Sequence, residues 1–166
     1  MNSDVFTEIT AIQIGIQLLD KLMAVHKCGY LFNDLKPNNI LVGNHDEKDL
    51  HKIRLIDFGI SKKYLDENGD HIKQMDENLF KGNFLYASVN AFNFVSLGRR
   101  DDLISLIYLL VYLVDGTSPF DINLGQPKTP ETRRREFNFI RELKTSISLE
   151  KLCGSKVAQK LIPFAK

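Results

Sequence analysis

Between Thr7 and Lys27 the apolar residues Ile9, Ile12, Ile16, Leu19, Leu22 and Met23 fall three or four apart, with Glu8, Gln13, Gln17 and Lys21 among them. That spacing predicts an amphipathic helix, and Gly29 offers a left-handed stop beyond it. The following Tyr30 to Asn39 (YLFNDLKPNN) has no period and reads as a structured loop. Two short apolar runs, Asn39 to Val42 and Ile53 to Asp57, flank the polar stretch Gly43 to Lys52, the pattern of a β-hairpin with a long tip. Ser61 to Gly82 is polar and aperiodic, an extended surface loop of the length that usually carries function. Leu103 to Val114 (LISLIYLLVYLV) is apolar all round, with Asp101 or Asp102 to cap it and Gly116 and Pro119 to end it. It is too short for the ~20 residues of a membrane span and predicts a helix buried on most sides. A Pro- and Gly-containing connection, Asp121 to Pro130, leads to a basic helix over Glu131 to Lys144, whose apolar side is Phe137, Ile140 and Leu143. A last short helix is expected from about Ser155 to Ile162. No internal repeat is present.

Composition narrows the function classes. The 166 residues hold 22 Lys plus Arg against 21 Asp plus Glu, a net charge of +1, with 43% hydrophobic residues, which suits one globular domain and excludes disordered and collagen-like classes. No overall basic field exists to hold a nucleic-acid backbone, so neither nucleic acid nor membrane is an expected partner. Cys28 and Cys153 form neither a disulfide framework nor a zinc spacing, which points to a reducing compartment, cytoplasmic or nuclear. The opening MNSDVFTEIT lacks the parts of a secretory signal.

The chemistry concentrates between Asn33 and Asp57. Asp34, Lys36 and Asn39 share one loop, and Asp57-Phe58-Gly59 ends the next strand. Phosphoryl transfer needs oxygen ligands for a divalent metal, a cation on the transferring phosphate and a carboxylate at the attacking hydroxyl. This segment holds all three. Asp57 and the amide oxygen of Asn39 are candidate Mg²⁺ ligands, Lys36 the candidate partner of the γ-phosphate, and Asp34 the candidate base. Gly59 gives the backbone room to turn.

Asn33-Asp34-Leu35-Lys36-Pro37-Asn38-Asn39 resembles the protein-kinase catalytic loop, and Asp57-Phe58-Gly59 its metal-binding DFG motif. Lys36 resembles the serine/threonine-specific version. Tyr86-Ala87-Ser88-Val89-Asn90 followed by Arg99-Arg100-Asp101-Asp102-Leu103 resembles, more narrowly, the casein kinase I family. Either short motif alone is more often a surface turn. Two in the right order, separated by a hairpin and followed by a third signature, outweigh that reading. The resemblance implies a mainly α fold, the large lobe of a protein kinase with a small β-hairpin, spanning 1–166. It implies transfer of the ATP γ-phosphate to protein Ser/Thr, with Asp34, Lys36 and Asn39 catalytic, Lys36, Asn39 and Asp57 binding the nucleotide, and Asn39 and Asp57 binding Mg²⁺.

Several positions depart from that pattern. Phe32-Asn33 replaces the usual His-Arg: Phe32 keeps an apolar ring to stack on Phe58, whereas Asn33 lacks the charge that grips a phosphorylated activation loop. Asn83 stands where a hydroxyl fixes the catalytic Asp and Lys. Leu85 stands where an arginine reads a phosphate on the substrate, so preference for phosphorylated substrates should weaken. Only Met1 to Phe6 precede the first helix, so the small lobe and its glycine-rich loop are expected to be missing, as are the last helices of the large lobe. The isolated chain is therefore expected to be inactive unless an upstream segment or another chain supplies that lobe. The alternative is a non-catalytic binding or scaffolding module whose exposed face takes a partner.

The remaining features divide between plain and functional readings. Asp102 is either a helix cap or, as the resemblance implies, the anchor of the catalytic-loop backbone. Arg133-Arg134-Arg135 is either an anion-binding or nuclear-import patch or a solvated helix face. His26, His45, His51 and His71 read as surface or loop residues. The aromatic set Phe80, Phe84, Tyr86, Phe92 and Phe94 reads as packing rather than base stacking.

Overall fold

The computed structural model describes residues 5–43, 49–122, 129–155, 158–161 and 163. The predicted first helix is present as α1 (Glu8–Lys27), opened by Thr7, whose hydroxyl accepts from Thr10 N–H at 3.3 Å. Gly29 follows at φ 80°, the left-handed turn the sequence suggested. The hairpin forms as β2 (Ile40–Val42) and β3 (Ile53–Leu55), antiparallel, with Ile40 opposite Leu55 and Val42 opposite Ile53. Part of its tip, residues 44–48, lies outside the described residues.

A second two-stranded sheet was not legible in sequence. The strands β1 (Tyr30–Leu31) and β4 (Lys62–Lys63) pair antiparallel, tying the start of the aperiodic loop to the start of the long polar one. Two-residue strands are too short to show a period, and both had been expected as loop.

The central helix α3 (Arg99–Asp115) begins three residues before Asp102 and ends at Gly116, φ 70°. No residue from Asp101 to Gly116 is exposed, which accounts for its all-round apolarity. It serves two cores. Leu106, Leu109 and Leu110 pack with Leu18 and Leu22 of α1 and with Phe32, Leu35 and Ile53. Val111 joins Phe92, Phe120, Ile140 and Leu152 in the other. Gly15 lets α1 and α3 approach closely, since a Cβ there would stand 3.2 Å from Leu110 Cδ1. Each fully buried leucine contributes about 1.5–3 kcal/mol.

The apolar spacing of α1 predicted one buried face; the helix has two apolar faces, of which one is buried. Its buried residues are Ala11, Gly15, Leu18 and Leu22, whereas Ile9, Ile12, Ile16, Leu19 and Met23 face outward. Among the described residues, no helix is long and apolar enough to cross a membrane.

The remaining helices are short α2 (Val89–Phe92), basic α4 (Pro130–Ser146), short α5 (Leu149–Leu152) and a 3-10 turn, Ala158–Leu161. That last turn falls within the short helix expected from about Ser155 to Ile162, of which 156–157 and 162 lie outside the described residues. Of the connection before α4, residues 123–128 are likewise outside them. The aromatic residues pack: Phe80, Phe84 and Phe92 each lie within 5.7 Å of the Phe137 ring, centroid to centroid. Arg133, Arg134 and Arg135 are exposed, and Arg135 pairs with Glu131 at 2.8 Å, as on a solvated helix face.

Lys144 is the fold's unforeseen residue. It ends the basic helix α4 but is buried, donating to Leu85 O at 3.0 Å and Ala87 O at 2.8 Å. The Phe120 and Tyr108 rings lie 4.0 and 4.2 Å from its Nζ. The ring faces favour the cation, while burial pulls its pKa from 10.5 down to about 6. Between those two values the unfolded chain binds a proton that the folded chain does not, so folding stability should rise with pH across this window. The cost stands in full below about pH 6. Urea melts from pH 6 to pH 9 should show this rise, and Lys144→Met should flatten it while lowering overall stability by about 1–3 kcal/mol for the two carbonyls left unpaired.

Candidate functional site

The loop from Phe32 to Asn39 gains its shape from one left-handed residue and one 3-10 turn. Asn33 sits at φ 65°, a region Asn tolerates better than most residues. Pro37, with its fixed φ, opens the turn Pro37–Asn39, which brings Asn39 back beneath Asp34. Asn39 Nδ2 donates to Asp34 O at 2.9 Å and to Asp34 Oδ2 at 2.8 Å, and Lys36 Nζ donates to the same carboxylate oxygen at 2.6 Å. Asp34 and Asn39 are buried, and Lys36 is partly exposed. The three loop candidates form one hydrogen-bonded cluster. With its amide nitrogen committed to Asp34, Asn39 keeps its carbonyl oxygen for a cation.

The backbone just before Asp57 is tied to this loop through the hairpin. Ile56 N–H, one residue before Asp57, donates to Asn39 O at 3.0 Å. Asp57 is itself left-handed, φ 60°, and exposed, and its Oδ1 accepts from Gly59 N–H at 3.1 Å. A Cβ on Gly59 would lie 3.0 Å from that oxygen, a tight contact that the exposed Asp57 side chain would have to relieve by shifting. Phe58 meets Phe32 edge to face at 5.1 Å, the ring contact expected from the Phe32 replacement.

Among the described residues no three His, Cys, Asp or Glu side chains gather as a metal site. One carboxylate, one amide oxygen and an open position still fit Mg²⁺, which is commonly held by one or two carboxylates together with phosphate oxygens.

Behind the loop stands Asp102. Its buried carboxylate accepts from Phe32 N–H at 2.9 Å and Asn33 N–H at 2.8 Å, and from His26 Nε2 at 2.7 Å. Asp102 thus anchors the loop, and capping falls to Asp101, which accepts from Gly98 N–H at 2.7 Å. Asp101 also holds Ser88 Oγ at 2.6 Å and Asn90 Nδ2 at 2.8 Å, fixing α2 to α3. His26, read from sequence as a surface residue, is largely buried in this network. Nothing in its local sequence signals a partner 76 residues away.

The segment after the long loop lies against the same site. A Cβ on Gly82, φ 117°, would stand 3.5 Å from Asn33 O and 3.3 Å from Ala87 Cβ. Asn83 does not project as a freely rotating hydroxyl would: its Oδ1 accepts from Leu85 N–H at 2.8 Å and closes the turn. Asn33 Nδ2 donates to Ile60 O at 3.2 Å, while its buried Oδ1 has no partner. The long loop is held by an ion pair between Lys62 on β4 and Glu77, and Glu77 N–H donates to Phe94 O at 2.6 Å. Lys62, with Lys81 nearby, holds the Glu77 carboxyl below its usual range.

Residues 1–163 match the family model described as the protein kinase domain. The chain is 32% identical over 160 residues to a probable casein kinase I homolog of Encephalitozoon cuniculi, covering 96% of this chain and 47% of the relative. It is 35% identical over 111 residues to a probable serine/threonine-protein kinase of Dictyostelium discoideum, covering 67% of this chain and 22% of that protein. The chain spans less than half the length of either relative.

The Asp102 anchor sets a measurable cost. In Asp102→Asn one carboxylate oxygen becomes an NH₂ group facing a donor, so one buried N–H loses its acceptor. Stability should fall by about 2–4 kcal/mol in urea unfolding. His26→Phe, which leaves both loop N–H bonds intact, should cost about 1 kcal/mol.

Proposed function

We propose, from a chain that belongs to the protein kinase family and is casein-kinase-I-like, that it is the catalytic-loop half of a protein serine/threonine kinase. The reaction is transfer of the ATP γ-phosphate to a Ser or Thr hydroxyl of a protein. The observation that carries the reading is the shared hydrogen bonding of Asp34, Lys36 and Asn39, with Asn39 O held by the N–H of Ile56, the residue before Asp57.

Asp34 orients the acceptor hydroxyl and takes its proton. Its carboxylate is held in place by Asn39, so little reorganisation is needed when the hydroxyl arrives. Lys36, paired with the Asp34 carboxylate, neutralises charge on the transferring phosphate. Asn39 and Asp57 are the residues that hold Mg²⁺, which supplies charge neutralisation on the phosphate oxygens. Leu85 offers no cation to a substrate phosphate, in keeping with unphosphorylated acceptors.

The described residues supply a floor to the nucleotide and no glycine-rich cover, so water reaches one side of the phosphates and weakens each contact. We therefore expect the chain on its own to bind nucleotide without turning it over, the covering lobe coming from an upstream segment or another chain. One observation favours the second reading, a non-catalytic module: the Asn83 amide oxygen is spent on Leu85 N–H, where the family pattern has a hydroxyl for the catalytic Asp and Lys.

Mg²⁺ with ATP at ~100 times its Kd should add about 2.7 kcal/mol of stability, a rise in Tm on the order of 5–10 °C for a chain of this size. Asp57→Asn should remove most of that rise in a thermal melt, and its persistence would speak against Asp57 as a ligand. Transfer of ³²P from ATP by the chain should not exceed that of Asp34→Asn, and faster turnover would overturn the expected inactivity.

A further inference from the structure

A cleft of about 500 Å³ opens where three stretches of chain meet: Gly82 to Leu85, Phe120 to Ile122, and the first part of α4. Gly82 fixes its place relative to Asp34. A Cβ on that glycine would stand 3.5 Å from Asn33 O, and Asn33 immediately precedes Asp34. Leu85 comes three residues after Gly82, at most ~10 Å of extended chain. The cleft thus adjoins the ground over which a polypeptide with its hydroxyl at Asp34 would run.

The base of the cleft is apolar. Phe120 and Ile140 are each 1% exposed, and Leu85 and Ile122 add partly exposed apolar surface. Asn83, the polar side chain of that wall, spends its amide oxygen on Leu85 N–H at 2.8 Å. The charged lining among the described residues is two carboxylates, Asp121 and Glu136, against one guanidinium, Arg133, an excess of negative charge. Lys144 lies close by, but its Nζ is turned to Leu85 O and Ala87 O, at 3.0 and 2.8 Å. The negative charge also reaches the wall itself: burial first, and the charges of Tyr112 and Asp121 after it, push the Tyr86 phenol up. A phosphate entering this cleft would exchange water for carboxylates and hydrocarbon. A large apolar side chain would instead remove hydrocarbon from water on both partners.

We propose that the cleft receives a large apolar side chain of the acceptor protein, close in sequence to the Ser or Thr that is phosphorylated, and selects against a phosphate in that place. This inference rests on the proposed kinase reading, which makes the acceptor polypeptide the occupant. Leu85 then has a positive role. It supplies apolar contact to the acceptor, while Asp121 and Glu136 turn away a competing phosphate.

The probe is a set of fluorescein-labelled peptides in an alanine background, each with a single serine, in which one leucine is moved stepwise away from that serine. Titrated against the chain by fluorescence anisotropy, one register of leucine should bind about tenfold tighter than the all-alanine peptide. Phosphoserine in place of that leucine should bind no better than alanine. Asp121→Lys, at an exposed position, should leave the circular dichroism unchanged and tighten the phosphoserine peptide about tenfold. Leu85→Arg should do the same for phosphoserine while erasing most of the preference for leucine. Photo-leucine in the preferred register should crosslink within the three stretches that line the cleft. Equal binding of leucine and alanine in every register, phosphoserine bound as tightly as leucine, or crosslinks confined to other parts of the chain would each overturn the proposal. The Mg²⁺ and ATP melt keeps the two readings apart. Leucine selection without nucleotide stabilisation would support the cleft as a peptide site and defeat the kinase reading, whereas nucleotide stabilisation without leucine selection would defeat the cleft alone.

Discussion

A single buried carboxylate governs the site. Asp102 gathers the backbone N–H groups of Phe32 and Asn33 and the imidazole of His26, and it does so from the first turn of the most deeply packed helix. The loop backbone between Leu31 and Asp34 turns left-handed at Asn33 and has no sheet partner of its own there, so its N–H groups depend on this acceptor. Every later feature inherits that placement: the Phe32–Phe58 ring contact, the Asp34 cluster and the hairpin bond that carries Asp57. Neighbouring Asp101 does the same for the segment on the other side, holding Ser88, Asn90 and Gly98. Two consecutive acids on one helix thus set the distance between the Phe32–Asn39 loop and the segment that faces it.

Lys144 completes the frame from the opposite direction. It reaches back from α4 to the carbonyls of Leu85 and Ala87, groups that a turn leaves without partners. An apolar side chain of similar length has no donors to give them, whereas the lysine amine keeps N–H donors even when burial leaves it uncharged. The aromatic faces of Phe120, Tyr108 and Phe92 make the burial tolerable.

Much of this was legible where chemistry is local. The helix spacing of α1 and α3, the hairpin pattern and the motifs around Asp34 and Asp57 are short-range signals, and the family they suggested is the one the chain belongs to. Phe32 was readable as a ring partner because only its size and polarity mattered. What escaped were contacts made across the fold. His26 and Lys144 look like surface residues in their own helices, since charge and periodicity describe a residue's neighbours along the chain and say nothing of a carboxylate or carbonyl brought from afar. The start of α3 was missed for a related reason: two adjacent acids compete for the capping role, and only packing decides that one points outward to Gly98 and the other inward to the loop. On α1, the alternation of apolar residues could not show that Gly15 and Ala11 mark the buried side, because small residues carry little hydrophobic weight while permitting the closest helix contact.

The Lys62–Glu77 pair gives the long loop a character of its own. The bond between a strand-borne ammonium and a loop carboxylate, both partly in water, adds a charge contact to the backbone bonds and the Phe80 packing that also hold residues 64–82 to the body of the protein. Such an attachment is sensitive to ionic strength in a way that the apolar cores are not. It is also made of groups present from the moment of synthesis. One part of this loop's ordering is thus tuned by the surrounding electrolyte and built into the chain from the start, an arrangement closer to a permanent magnet than to a latch awaiting a key.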